Sequence, residues 1–479
     1  MEYYLAVDAG TTRIKAGILD DIGKLVGIKD RSIEISMPRP GWCEMDMDEL
    51  WAKVSEVLME LKADHPLKWD LIAAVGIAAQ GEGAWLLDAD LKPVRKAILW
   101  NDTRNDLIQD SIWDEAAIIS SKNHVIPLCV GSPISILHWL KHNEPENYNR
   151  IEHVVFCKDW IKYKLTGEIS TDYTDASTAA FDVLNLKRIP EMLNLLGIGD
   201  MEHKLPKVLE SGDIAGYVND YGSLATGIIK GTPVIAGCMD ISASASGLGT
   251  AEPGDSGSII GTTLGNIAIL GTDDIRTMKV EEGSVLCHVK KGSFLRQVSA
   301  LSGAVVLDWC KRELGNCEDM FTLEEEAKAI GAGAEGVIFL PYLFGERAPF
   351  KAPGAAASFS GIRFGHTRGH MVRAVYESLA YSLYDCRRYM PLGNPGINVA
   401  GGGAQSNLIC QIISDITGEK VHRSKNSELG LFGLYKLMSG NWSKSDDEGD
   451  IFIPKEENTR VYREIYKEYC RLRDCLVQK

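Results

Sequence analysis

A short tight turn occurs twice in this chain, and its repetition restricts the possible folds more than any other feature. Residues 3–7 alternate and end at Asp8, then Ala9-Gly10-Thr11-Thr12 follows, then the segment Arg13 to Leu19 and a turn at Asp20-Asp21-Ile22-Gly23. The pattern predicts strand, turn, strand. Gly10 lets the backbone approach an anion closely, and the amides and hydroxyls of Thr11 and Thr12 can address phosphate oxygens. Asp8, at the strand end, is placed to orient a hydrated Mg²⁺. A single copy is more readily read as an ordinary β-hairpin with polar turn residues. The second copy shifts that balance. Ile260-Gly261-Thr262-Thr263-Leu264-Gly265-Asn266-Ile267-Ala268-Ile269-Leu270 repeats the first in register, with Ile18-Leu19 and Ile269-Leu270 at the same distance beyond each Gly-Thr-Thr. Such a repeat predicts two similar α/β domains facing one another across a cleft, each offering a phosphate turn. Ile259 stands where Asp8 would be, so only the first copy carries the acid.

At 479 residues the chain is long enough for more than one domain, each with a full core. Hydrophobic content of 45% and charged content of 24% are ordinary for a soluble globular protein. The net charge of −15 argues against nucleic acid or an anionic membrane as partner, because both select basic surfaces. No apolar run approaches the roughly 18 residues that span a bilayer. The chain enters a strand at once, without a signal segment, and its 11 cysteines form no Cys-x-x-Cys pair. Reduced thiols in the cytoplasm are the expectation, and the sequons at Asn101 and Asn441 are then chance matches.

Further along, Pro38-Arg39-Pro40-Gly41-Trp42 forms a rigid connection. Asp46 and Glu49 have capping-box spacing ahead of a helical pattern, Leu50, Val54, Val57, Leu58 and Leu61, that stops at Pro66. A buried strand from Leu71 to Ala78 leads into Gln80-Gly81-Glu82-Gly83, and strands starting at Ala84 and Ala97 follow. Pro233 to Gly237 is another buried strand, ending in Cys238-Met239-Asp240 before a helix of small residues. The Gly249–Asp255 segment is the best linker, which sets domains at 1–248 and 249–479. In the second half, Met371, Val375, Leu379 and Leu383 mark a buried helix, and Ile397 to Ala400 feeds Gly401-Gly402-Gly403 and a helix from Asn407 to Thr417. The acidic run Asp446-Asp447-Glu448 reads as a solvated loop, and Tyr462, Tyr466 and Tyr469 as packing residues of a final helix. Gly331-Ala332-Gly333-Ala334-Glu335-Gly336 fits G-x-G-x-x-G, but with helix before and strand after, the reverse of a dinucleotide turn. No P-loop motif is present.

These segments resemble the FGGY family of carbohydrate kinases, within the sugar kinase, actin and Hsp70 superfamily. The likeness runs nearly end to end, through Asp8-Ala9-Gly10-Thr11-Thr12, Pro40-Gly41-Trp42, Leu99-Trp100-Asn101-Asp102-Thr103-Arg104 and Lys158-Asp159-Trp160 with Leu165-Thr166-Gly167. It continues through Gly231-Thr232-Pro233-Val234 to Asp240, Phe339-Leu340-Pro341-Tyr342, Gly345-Glu346-Arg347-Ala348-Pro349 and Gly401-Gly402-Gly403-Ala404. Ala357, Phe359, Gly361 and Ile362, with His370 to Glu377, match the family's C-terminal signature. Three positions depart from it: Ile136 replaces the usual lysine, Ile241 follows the catalytic aspartate, and Arg13 stands where serine is frequent. The resemblance implies two ribonuclease H-like domains of the actin, hexokinase and Hsp70 type, and ATP with Mg²⁺ as cofactors.

By residue type alone, Asp240 reads equally as a general base or as a helix N-cap. The resemblance makes it the base that accepts the substrate hydroxyl proton. It assigns the nucleotide to the C-terminal half, with Gly261, Thr262, Thr263 and Gly303 facing the phosphates and ribose, and Gly402, Gly403 and Asn407 near the adenosine. Thr11, Thr12 and Lys15 would reach the β- and γ-phosphates, with Asp8 toward the metal. Lys15 also fits an ordinary outward lysine on a strand. Gln80, Gly81, Glu82, Trp100, Asp102 and Asp240 would hold the acceptor, since a polyhydroxylated molecule needs carboxylates, amides and one aromatic face. The plainer alternatives are a turn glycine at Gly81 and a surface carboxylate at Glu82. Gln-Gly-x-Gly together with Ile136 looks most like the L-xylulose and erythritol kinase branches. A small sugar or polyol partner is implied, most simply a pentulose such as L-xylulose or D-xylulose; a homodimer is compatible. The competing class is a non-catalytic actin-like ATPase switch.

Overall fold

A computed structural model of the protein describes residues 2–105, 110–124, 126–277, 284–316, 319–390, 393–442 and 449–477. The acidic run at 446–448 lies outside the described residues. The chain forms two compact α/β units. The first comprises Met1–Gly247, Gly271–Leu295 and Glu428–Ser443, and the second Leu248–Leu270, Arg296–Ser427 and Lys444–Lys479.

The first unit is built on β1 (Tyr3–Ala9), β2 (Arg13–Asp20) and β3 (Leu25–Ser32), an antiparallel meander. Helix α1 (Met47–Asp64) follows, and β4 (Ile72–Ala79) then pairs parallel with β1. Asp46 starts α1 by accepting the amides of Asp48 at 3.0 Å and Glu49 at 3.1 Å. Later come α2 (Cys157–Thr166), α3 (Tyr173–Ala176), β5 (Ile214–Tyr217), β6 (Pro233–Ile235), β7 (Cys238–Met239) and α4 (Asp240–Gly247). The sheet order is β5-β6-β4-β1-β2-β3, with β7 beside β4. Alternation along β1 buries both faces. Leu5 and Val7 meet Leu50, Val54, Val57 and Leu58 of α1, each fully buried and worth about 1.5–3 kcal/mol. Ala6 points to the opposite face.

The second unit repeats this plan. Strands β8 (Ser256–Ile260), β9 (Leu264–Leu270) and β10 (Phe294–Ala300) are followed by helix α5 (Val305–Glu313) and the buried helix α6 (Arg368–Arg387). Then come β11 (Ile397–Ala400), α7 (Asn407–Thr417) and β12 (Val421–Arg423). Helix α8 (Leu429–Ser439) belongs to the first unit; β13 (Asp450–Phe452) and α9 (Glu456–Val477) complete the second. Six of the seven strands of the second sheet, in the order β10-β9-β8-β11-β12-β13, match β3-β2-β1-β4-β6-β5. Both central pairs, β1 with β4 and β8 with β11, are parallel, and both outermost pairs are antiparallel.

Although the sequence repeat keeps its spacing, the two hairpins differ in strand-pairing register. Ala9 pairs with Ile14, so Gly10–Arg13 bridge the first hairpin; Ile260 pairs with Leu264, leaving only Gly261–Thr263 in the second. Arg13 is the additional residue. Because strand side chains alternate, this slip changes which residues face each other beyond the turn. Asp8 therefore stands opposite Lys15, whereas Ile259 stands opposite Gly265.

Helix α8 covers the far face of the first sheet, where Ala6, Leu19 and Ala78 pack with Leu431, Leu434 and Tyr435. It crosses α4 so closely that a Cβ on Gly433 would lie 1.9 Å from the Ala243 carbonyl oxygen. The G-x-G-x-x-G decoy has helix Met320–Lys328 before it and strand Ile338–Leu340 after it.

Candidate active site

In the first unit the turn is closed by the Gly10 amide donating to the Arg13 carbonyl at 3.0 Å, with Thr11 half-buried and Thr12 exposed. The Trp100 indole N–H donates to the Thr11 hydroxyl at 3.0 Å, and the ring is 38% exposed. This joins a residue expected on the acceptor side to one expected on the phosphate side. Burial and then the neighbouring Asp240 charge push the Asp8 carboxyl up to about 7, against the pull of Lys15. Helix α8 leaves room for that carboxylate only because residue 430 is glycine: a Cβ there would come within 2.5 Å of Asp8 Oδ2. Lys15 Nζ is paired with Glu428 Oε2 at 2.6 Å.

Asp240 opens α4. Its Oδ1 accepts the Ile241 amide at 2.7 Å, and burial raises its pKa to about 6 despite that bond. A carboxylate in that range is ionised at neutral pH yet still a serviceable proton acceptor. The Gln80 amide continues the β4 edge by donating to the Ala9 carbonyl at 3.0 Å. Its side chain is 2% exposed, and Oε1 has no protein partner among the described residues. A Cβ on Gly81 would sit 2.0 Å from Met239 Cε, so a larger residue here would displace the methionine side chain. Glu82 holds the left-handed φ of 58°, a strained conformation for a side-chain-bearing residue, and its Oε1 accepts the Cys129 thiol at 3.8 Å.

Asp102 is not presented with these groups. It is fully buried: Oδ2 accepts the Cys43 amide at 2.6 Å and Arg104 Nη2 at 2.8 Å, while Oδ1 accepts the Arg104 amide and Nε, both at 2.9 Å. With its lone pairs so engaged it acts as scaffold beneath Trp100 rather than as a contact to an acceptor.

The second unit gathers its own set. The Gly303 amide donates to the Thr262 carbonyl at 3.1 Å and the Ala304 amide to the Gly261 carbonyl at 2.6 Å, which seats the start of α5 on the Gly261–Thr263 turn. A Cβ on Gly303 would lie 2.4 Å from the Gly261 oxygen. Gly403 packs on Ile260 at the end of β8, while Gly402 is exposed with nothing within 4 Å of a would-be Cβ. Asn407 is the exposed first residue of α7, which Ser406 caps by accepting the Ile409 amide at 3.1 Å. Bare backbone beside an exposed amide suits a flat base.

Among the described residues no group of three or more His, Cys, Asp or Glu could hold a metal ion by itself. Asp8 nonetheless fits Mg²⁺, which favours one or two carboxylates together with substrate phosphates. The raised pKa of Asp8, caused partly by Asp240, marks negative charge that a divalent cation would neutralise. Sequence reasoning missed Glu428, Gly430 and Cys129. The Gly430 and Gly433 spacing on an apolar helix was a readable sign of close approach; Glu428 and Cys129 gave none.

The doubled sheet with its doubled turn is the architecture of the two-domain kinases of the actin and hexokinase type. The family models for the FGGY family of carbohydrate kinases match residues 3–247 with the N-terminal domain and 259–439 with the C-terminal domain. The chain belongs to that family and is a sugar phosphotransferase that uses ATP. It is 29% identical to a probable L-xylulose kinase of Haemophilus influenzae over 99% of both chains. It is also 29% identical to an L-xylulose/3-keto-L-gulonate kinase of Escherichia coli, over 98% of this chain and 96% of that one. The fold superposes on a ligand-bound xylulose kinase from Lactobacillus acidophilus with TM-score 0.90 and 24% identity, covering 99% and 98% of the two chains. No helix among the described residues is long and apolar enough to cross a membrane.

Proposed function

We propose that the protein transfers the γ-phosphoryl group of ATP to a terminal hydroxyl of a pentulose, L-xylulose or D-xylulose. The observation that carries this reading is Asp240, a half-buried carboxylate at the start of a helix, beside Asp8, with its pKa raised to about 6. Asp240 takes the proton of the acceptor hydroxyl as that oxygen bonds to the γ-phosphorus; the bond from phosphorus to the β–γ bridging oxygen breaks, and ADP leaves with that electron pair. Thr11 and Thr12 orient the phosphates, while Gln80, Glu82 and Trp100 hold the sugar, with the unpaired Gln80 carbonyl accepting one of its hydroxyls. Mg²⁺ held at Asp8 would supply charge neutralisation on the phosphates. Gly261, Thr262, Thr263 and Gly303 bind the phosphates and ribose, and Gly402, Gly403 and Asn407 the adenosine. The names of the two curated relatives favour L-xylulose. Free thiols, mostly buried, suit the cytoplasm.

A coupled ADP-release screen over D- and L-xylulose, ribulose, erythritol, xylitol, glycerol and gluconate tests the substrate. The highest kcat/KM is expected with L-xylulose. A preference for glycerol or erythritol replaces the pentulose reading with a polyol one, and acceptor-independent hydrolysis points to an ATPase switch. Asp240→Asn should abolish transfer while ATP affinity stays within a few-fold; near-normal turnover would remove Asp240 from the role of base.

A further inference from the structure

The Lys158-Asp159-Trp160 segment has no part in the site described above. In the fold it is the centre of a charged cluster: Lys158, Asp159, Lys162, Asp172 and Asp175 are each no more than 1% exposed. Lys158 Nζ contacts Asp159 at 2.9 Å, Asp172 at 3.0 Å and Asp175 at 2.6 Å, and Lys162 Nζ contacts Asp159 at 2.9 Å. Burial works against the Lys158 charge, but the surrounding carboxylates outweigh it and hold its pKa well above the ordinary lysine value. Buried ion clusters rarely stabilise a fold more than apolar packing would. What they do supply is directional hydrogen bonding.

That direction leads to Asp240. Lys162 Nζ donates to the Ala236 carbonyl at 3.4 Å, next to Gly237, where a Cβ would collide with the Ile77 carbonyl at 2.1 Å. On β7, Cys238 and Met239 pair with Ala78 and Ala79 of β4. The Met239 amide instead donates to the Thr174 hydroxyl at 2.8 Å. That hydroxyl donates in turn to Asp172 Oδ1 at 3.0 Å, and Asp172 Oδ2 also accepts Ser211 Oγ at 2.7 Å. Donating to Asp172 and accepting from Met239, the Thr174 hydroxyl has its proton and a lone pair both engaged. A side-chain hydroxyl thus holds the backbone amide of the residue before the base.

We propose that Thr174 is a positioning residue for Asp240: the Lys158 cluster, through Asp172 and Thr174, clamps the Met239 amide and so aims the Asp240 carboxylate. The inference rests on the reading of Asp240 as general base. Thr174→Val keeps the shape and deletes both hydrogen bonds, whereas Thr174→Ser keeps the bonds.

The two variants and Asp240→Asn are compared in the full chain by ADP-release kinetics with the preferred ketose, ATP KM and melting temperature. Thr174→Val is expected to lower kcat about tenfold or more with ATP KM within about twofold, and Thr174→Ser to recover to within about threefold of wild type. A Thr174→Val kcat within about twofold of wild type overturns the inference, as does a Thr174→Ser loss as large as that of Thr174→Val. Should Thr174→Val not fold, Ser211→Ala decides, because it removes one donor to Asp172 at the same relay: a kcat loss of about threefold supports the clamp and an unchanged kcat overturns it. Normal turnover in Asp240→Asn brings down the base assignment and this inference together. An inactive Asp240→Asn beside a normal Thr174→Val brings down this inference alone.

Discussion

At the scale of single residues, two carboxyls with raised pKa values burden the fold, and under the proposed function they carry the chemistry. Asp240 at about 6 and Asp8 at about 7 both lie above the ordinary value of 3.8. The folded protein therefore binds these protons more tightly than the unfolded chain does. Their contribution is most favourable below about pH 4, declines as pH rises through 6 and 7, and is level beyond. Asp240→Asn should accordingly stabilise the protein at pH 8 by roughly 1–3 kcal/mol, and the gain should shrink toward pH 4. Melting temperatures measured across that range check this, and a gain independent of pH would contradict it. The same titration predicts that kcat/KM falls as pH drops below about 6, because a protonated Asp240 cannot accept the acceptor's proton.

At the scale of elements, glycines set how closely backbone approaches backbone at both half-sites. Gly433 lets α8 lie against α4, the helix that begins with Asp240. Gly433→Ala would place a Cβ 1.9 Å from the Ala243 oxygen, so the helix pair must open. A loss of about 2–4 kcal/mol is expected by denaturant titration. In the second unit, Gly303 carries the corresponding contact against the Gly261–Thr263 turn. Gly303→Ala should raise the KM for ATP about tenfold or more and leave the acceptor KM near wild type. An unchanged ATP KM would separate this turn from nucleotide binding.

At the scale of the whole molecule, one sheet plan is used twice and specialised by a single additional residue. Arg13 lengthens the first turn and brings Asp8 opposite Lys15; the shorter second turn puts Ile259 opposite Gly265. Asp8 and Asp240 both lie in the first unit, and Gly261, Gly303, Gly402 and Gly403 in the second. Asp240→Asn and Gly303→Ala should therefore damage different steps. Much of this plan was readable beforehand. The strand and helix periods, the Asp46 cap and the two Gly-Thr-Thr turns are local signals, fixed by neighbours a few residues away. The return of Gly271–Leu295 and Glu428–Ser443 to the first unit was not readable, because nothing local distinguishes a helix that packs on its own half from one that packs on the other.

The amino-acid sequence by itself determined the family, the order of the elements and the residue types at the turns, since these depend on backbone conformation and short-range patterning. Only the tertiary structure decided what each polar group does. It joined Lys15 to Glu428 across more than four hundred residues, buried Asp102 against Arg104, and threaded Lys158, Asp172 and Thr174 to the amide before Asp240. Hydrogen bonds and charge pairs are satisfied by whatever lies within about 3 Å, and that proximity is set by packing rather than by chain position.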